Sequence, residues 1–181
     1  MSKLGNIDRI VVVDEGPHSK VIADGPSPDI RKDPARPGFS CARMWVTDRT
    51  PIRLEGVQES LQLPHTYVPP SGGSTCYVVT FPPDAGWRGK VGAKEVAAYF
   101  KAMGAPEIST YADKAPHPYM QKAATLDLCL VLDGEITLVL DTAEVDLKAG
   151  DTVVQRGTNH AWSNRSNRPC VIAFSSHDAK A

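Results

Sequence analysis

The chain has 181 residues, 41% of them hydrophobic, and 20 Lys and Arg against 21 Asp and Glu give it a formal net charge of −1. This length suits one domain with extensions, large enough to bury about 70% of the surface its unfolded chain would expose, so no covalent staples are required. Interspersed charges without a basic block argue against a phosphate-backbone binder, and the absence of any apolar run of about 18 residues argues against a membrane-spanning helix.

In chain order, residues 9–14 and 20–24 read as two short strands around a Glu15-Gly16-Pro17 turn, a hairpin. The segment 25–38 is dense in proline and glycine and is expected to wander over the surface or over a neighbouring subunit. Residues 43–47 form another strand, closed by Asp48 to Pro51, and a polar connection ends at Pro69 to Gly73. Residues 74–81 have strong β composition and are expected to open the core. One helix is expected over 93–103: Val96, Phe100 and Met103, with Tyr99 beside them, share a face, and Gly104 suits a left-handed cap. It should pack against the outside of a sheet as an insertion.

From Thr125 the chain reads almost entirely as strand, over 125–132, 135–141, 144–147, 152–155 and 170–175, with glycine turns at Gly134, Gly150 and Gly157. Asp133-Gly134 reads as a tight hairpin turn. Short strands at regular spacing predict an all-β antiparallel barrel or sandwich. The organisation expected is an N-terminal region 1–73 of strands and a Pro/Gly-rich arm on the barrel or a partner subunit, a barrel over 74–176 containing the helix, and a tail over 177–181. The four cysteines, Cys41, Cys76, Cys129 and Cys170, show no paired spacing and read as buried thiols, and Met1 to Asn6 carry no leader pattern. A cytoplasmic protein is the expectation, with neither nucleic acid nor membrane as partner.

The stretch Gly150, Gln155, Gly157, His160, Asn164 resembles the second motif of the cupin superfamily, commonly G-x(4,5)-P-x-G-x2-H-x3-N, with Gln155 in place of the proline. Counting back from Gly134, the first motif, commonly H-x-H-x(3,4)-E-x6-G, meets Asp127 at its acidic position and Gln121 and Ala123 where two histidines would stand. The resemblance covers about residues 74–176. It implies a cupin-type double-sheet β-barrel, or jelly roll, with an N-terminal β extension and one short inserted helix, and it implies that His160 and Asp127 face each other across the barrel mouth. It also implies a homodimer, for which the N-terminal hairpin is a candidate exchange element.

A cupin metal site would use two imidazoles and a carboxylate from the first motif and one imidazole from the second. Here only Asp127 and His160 remain, with His117 a further candidate between Pro116 and Pro118, so no cofactor is expected beyond a weakly bound divalent metal. Acid/base chemistry needs no metal: a histidine titrates near neutrality, and a nearby carboxylate can orient it. Strand parity puts 121, 123, 125, 127, 129 and 131 on one face, so Gln121, Cys129 and Val131 are candidate wall residues. Trp162 can stack on a planar ligand, and Arg156 can bind a carboxylate.

The expected function is small-molecule binding, with His160 and Asp127 catalysing proton transfer of dehydratase, isomerase or other lyase type on a small carbonyl-bearing or aromatic metabolite. A non-catalytic ligand-binding or accessory cupin and a metal-dependent oxygenase are the alternatives. Each of these residues also has a structural reading: a histidine bonded to a backbone carbonyl, an aspartate satisfying a buried amide, a tryptophan in the core. Leu128, Leu130 and Leu132 fall on the outer parity and call for a cover, from the N-terminal strands, the helix or a second subunit.

Overall fold

The computed structural model describes residues 7–52, 54 and 62–180. Residues 53 and 55–61 of the polar connection after Pro51, and Met1 to Asn6, where no leader is expected, lie outside the described residues. The strands are β1 (Asp8–Glu15), β2 (His18–Pro26), β3 (Ile30–Lys32), β4 (Ser40–Thr47), β5 (Ser74–Phe81), β6 (Thr125–Asp133), β7 (Glu135–Leu140), β8 (Glu144–Lys148), β9 (Thr152–Arg156), β10 (His160–Ser163) and β11 (Cys170–Asp178). One α-helix, α1 (Ala93–Ala102), and short 3-10 turns at Asp84–Gly86, Arg88–Lys90 and Pro106–Ile108 interrupt them.

Every strand pairing is antiparallel. A six-stranded sheet runs β3-β4-β5-β11-β6-β9, a three-stranded sheet runs β10-β7-β8, and β1 and β2 form a hairpin of their own. The fold is the all-β double-sheet barrel expected from the strand spacing. Alternation does the sorting: on β5, Thr75, Tyr77, Val79 and Phe81 are buried and their neighbours half-buried, and on β6 Cys129 and Val131 point in while Leu126, Leu128 and Leu130 point out. The core combines these with Ile172 and Phe174 of β11, Ile136 and Leu138 of β7, and Trp162 of β10.

The helix ends one residue earlier than expected, with Met103 as its cap. Val96, Tyr99, Phe100 and Met103 are buried in the same core as Phe39, Phe81 and Tyr119, so the insertion is part of the barrel's packing. Its first turn is closed by Glu95, whose carboxylate accepts from the Gly92 N–H (3.1 Å).

Two local expectations are corrected. Asp133-Gly134 does not close a hairpin, because β6 and β7 belong to different sheets; it carries the chain from one sheet to the other. Gly134 is required there on two counts: its φ is +89°, and a Cβ would stand 2.8 Å from both the Cys170 Cα and the Pro169 carbonyl oxygen. The 25–38 segment is also not confined to the surface. Residues 30–32 form edge strand β3, and Asp33 and Arg36 are buried, joined by a 2.6 Å ion pair that no periodicity announces. Strands β3 and β10 were not anticipated, since three or four residues give too little alternation to read.

Candidate functional site

The two sheets enclose a pocket of about 500 Å³, counted to its open mouth, whose polar wall is Gln121, Thr125, Asp127, His160 and Ser176. Each is brought there by a short piece of local order. Asp127 and Cys129 lie on the inward parity of β6, and the adjacent β11 supplies Phe174 and Ser176. His160 opens β10 after the turn at Gly157, whose φ is +63° and whose absent side chain lets it pass the Ala123 carbonyl at a distance where a Cβ would be at 3.2 Å. That turn is tied down by Thr158 Oγ1 donating to Gln155 Oε1 (2.9 Å) and by Asn159, which bonds Asp141 (2.6 Å) and Thr110 (2.6 Å). Gln121 bridges to His160 through two backbone hydrogen bonds (2.8 and 2.9 Å), extending the three-stranded sheet by one residue.

The hydrogen bonds fix the state of the His160 ring. Nδ1 lies 2.9 Å from the Thr158 carbonyl oxygen, which can only accept, so Nδ1 carries the proton. In the neutral ring Nε2 is then a lone pair, and the Gln121 side-chain amide donates to it at 3.3 Å. Burial pushes the His160 pKa below the ordinary 6.5, against the Thr158 carbonyl and the Asp127 charge, which act the other way. Asp127 accepts from Thr125 Oγ1 (3.0 Å) and reaches His160 through its charge and not through a hydrogen bond. Burial, with the Asp127 charge adding, pushes the Cys129 thiol up to about 12, which keeps it protonated and unreactive at neutral pH. The arrangement is a neutral, buried imidazole base with a carboxylate across the pocket.

Residues 113–176 match the Cupin_2 family, described as a cupin domain. That match makes about a third of the chain a cupin-like segment. Three curated relatives match shorter stretches. The chain is 57% identical over 49 residues to Phomopsin biosynthesis cluster protein D of Diaporthe leptostromiformis, 26% of either chain. It is 42% identical over 62 residues to Oryzines biosynthesis cluster protein J of Aspergillus oryzae, 33% of this chain and 35% of that one. It therefore spans about a quarter to a third of the length of these relatives. Among solved structures, the cupin domain of Schizosaccharomyces pombe Cnp3 is similar with a TM-score of 0.46 at 9% identity, over 97% of this chain and 89% of that one.

Of the candidate residues, Gln121, Asp127, Cys129 and His160 line one pocket. Four other candidates do not reach it. Val131 lies one pleat deeper than Cys129, 2% exposed in the core. Trp162 follows the parity of His160 but turns into the packing between Phe81 and Phe174 and lines a separate chamber. Arg156 pairs with Leu126 on the outer face, in an external groove with Lys122 and Lys180. His117 is fully buried near Asp84, held by its Nδ1 accepting from the Tyr119 N–H (3.2 Å). The two flanking prolines break the strand that would have carried it inward.

Tyr67, Val68, Tyr77, Ile108 and Phe174 complete the pocket and were not among the candidates. Strand parity offers Tyr77 and Phe174. Nothing in the sequence offers Tyr67 and Val68, which are held over the barrel by the Tyr77 hydroxyl donating to the Thr66 carbonyl and by stacking of Tyr67 on Tyr77 (5.6 Å, 22°).

Asn164, the last residue of the second motif, serves the barrel and not the pocket. Its Nδ2 donates to the Phe81 and Arg168 carbonyls (2.9 and 2.8 Å), and its Oδ1 accepts from Ser166. The donor set does not fit a cupin metal ion. Gln121 and Ala123 stand at the imidazole positions, the His160 lone pair faces an amide N–H, and among the described residues no three His, Cys, Asp or Glu side chains converge. No helix among the described residues is long and apolar enough to cross a membrane.

Proposed function

We propose that this protein binds a small metabolite and performs proton-transfer chemistry of dehydratase or isomerase type, with His160 as the base. The observation that carries the reading is the unprotonated His160 Nε2, fixed as an acceptor by the Nδ1–H bond to Thr158 and met by the Gln121 amide at 3.3 Å, inside a mostly apolar pocket. A depressed pKa keeps that base unprotonated at neutral pH. The relatives named for biosynthesis clusters support a role in small-molecule metabolism.

The step is a proton shuttle. Nε2 removes a proton from the carbon beside a carbonyl, and the C–H electron pair forms a carbon–carbon double bond as a hydroxyl on the next carbon leaves. The same proton, returned by the imidazolium, completes the water. In an isomerisation it returns to a different carbon. Asp127 stabilises the imidazolium through its charge, and Gln121 rotates its amide so that Oε1 receives the new Nε2–H.

The test is deuterium incorporation beside the carbonyl of a panel of small ketones and esters in D2O, followed by NMR. His160→Asn lowers the rate at least ~100-fold, and an unchanged rate would overturn the assignment. The Gln121 contact on Nε2 favours a second reading, a ligand-holding cupin without turnover; saturable binding with no exchange in wild type would select it.

We further propose a homodimer. Leu126, Leu128, Leu130 and Val154 are exposed together on the outer face of β6 and β9, and Ile10, Val12 and Val21 are exposed on the hairpin. A second copy buries both, and light scattering reads its mass directly.

A further inference from the structure

Beyond Gln121 lies a second, tighter chamber that shares Tyr67 and Gln121 with the main pocket. Arg36, from the arm ahead of the barrel, forms one wall, and Trp162 of β10 forms another. Arg36 is 3% exposed. Its guanidinium carbon stands 3.6 Å from the Tyr119 ring centroid, 4.0 Å from Phe39 and 4.3 Å from Tyr99, and Nε donates to Asp33 (2.6 Å), which also accepts from the Tyr119 hydroxyl (2.9 Å). Such a cage explains why the arm is fixed, but it leaves a remainder. Among the described residues, Arg36 Nη2 and Trp162 Nε1 are both buried without a hydrogen-bond partner.

Two residues that line one chamber each keep a buried N–H donor without a partner, and such donors call for an oxygen, because a buried donor left without an acceptor is destabilising. Charge decides which oxygen. Asp33 already neutralises Arg36, so a carboxylate entering here would bring a buried charge with no counter-charge. A neutral carbonyl oxygen brings none.

We propose that the chamber receives the carbonyl oxygen of a ketone, ester or amide ligand whose body fills the main pocket, with Arg36 Nη2 and Trp162 Nε1 as its two donors. The inference rests on the proposed function for the presence of a ligand in the barrel, and it names the substrate class. It also gives the proton step its second half. As His160 Nε2 takes the proton, negative charge gathers on the carbonyl oxygen, where both donors strengthen, and the new imidazolium supplies the balancing positive charge. The His160 and Trp162 rings are 6.1 Å apart, close enough for one small molecule to meet both.

The chain has three tryptophans, so three indole N–H resonances report on 15N-labelled protein, and Trp162→Phe assigns the one that matters. Titration with cyclohexanone shifts the Trp162 indole proton downfield and saturates, whereas cyclohexanecarboxylate leaves it in place. Trp162→Phe keeps an aromatic ring between Phe81 and Phe174 and weakens cyclohexanone binding, followed by the ketone's 13C shift, about 3- to 10-fold. An unmoved indole, an unchanged ketone affinity in Trp162→Phe, or a larger shift with the carboxylate overturns the proposal. Arg36→Lys adds a second arm where it folds. The two readings fail separately: a shifted indole without deuterium exchange removes the proton-transfer reading and keeps the carbonyl receptor, and exchange with an unmoved indole does the reverse.

Discussion

The barrel sets a histidine and an aspartate near each of its two ends, and the two pairs have opposite fates. At the closed end, Asp84 accepts from Ser163 Oγ (2.6 Å) and from the Asn164 N–H (3.2 Å), with His117 (3.7 Å) and Arg88 (3.8 Å) at longer range, so its carboxylate is surrounded by donors. At the open end, His160 and Asp127 share a pocket without bonding each other, each held by a different neighbour. The residue types are the same. The difference is room: Trp87 and Tyr119 pack against His117, whereas His160, although edge-on to Trp162, forms part of the wall of a pocket. Polar groups satisfied by one another build a structure, and polar groups held apart by their supports leave capacity for something else.

The largest expected effect breaks the closed end. Asp84→Ala strands the Ser163 hydroxyl and the Asn164 N–H in the interior and costs about 3 kcal/mol of stability in a denaturant titration, in the range for a buried polar network that loses its acceptor. The ring state of His160, read by NMR, stays as in wild type. A loss below about 0.5 kcal/mol would show that the closed end is not a structural knot.

A smaller effect sharpens the comparison through pH. Burial lowers the pKa of both His117 and His160 from the ordinary 6.5. The folded protein holds them neutral while the unfolded chain takes up their protons, so their contribution is fully present above pH 6.5 and is lost as pH falls toward the lower folded values. Each histidine adds up to about 1.4 kcal/mol per pH unit to that decline. His117→Gln and His160→Gln should each flatten the acid limb of stability against pH, measured by urea unfolding from pH 7 to 5. An acid limb as steep in either variant as in wild type removes that histidine from the account.

The open end was the more legible of the two in the sequence, because it is built from regular parts. A period of two along β6 puts 125, 127 and 129 on one wall, and the positive-φ glycines at 150 and 157 mark the turns around β9 that deliver His160. The closed end joins residues 84, 117 and 163 through contacts that no local pattern carries. Arg36 is the same case: a charged residue in a proline-rich run reads as solvent-exposed until nearby Phe39 and the distant rings of Trp87, Tyr99 and Tyr119 enclose it. Trp162 shows a subtler limit. Sharing a strand face with His160 fixes a direction, but the chamber it enters is decided by what stands opposite, here Phe81 and Phe174.

The way Tyr67, Val68, Tyr77 and Ile108 close the pocket has a consequence for engineering. The cupin segment 113–176 contains His160, Asp127 and Gln121, yet it holds neither the lid over them nor the guanidinium behind them. Grafted alone onto another scaffold, it would transfer the reactive groups and leave the shape of the cavity behind. The shape of the cavity is set in large part by the chain that precedes the barrel motifs, so variation there alters that shape without touching His160, Asp127 or Gln121.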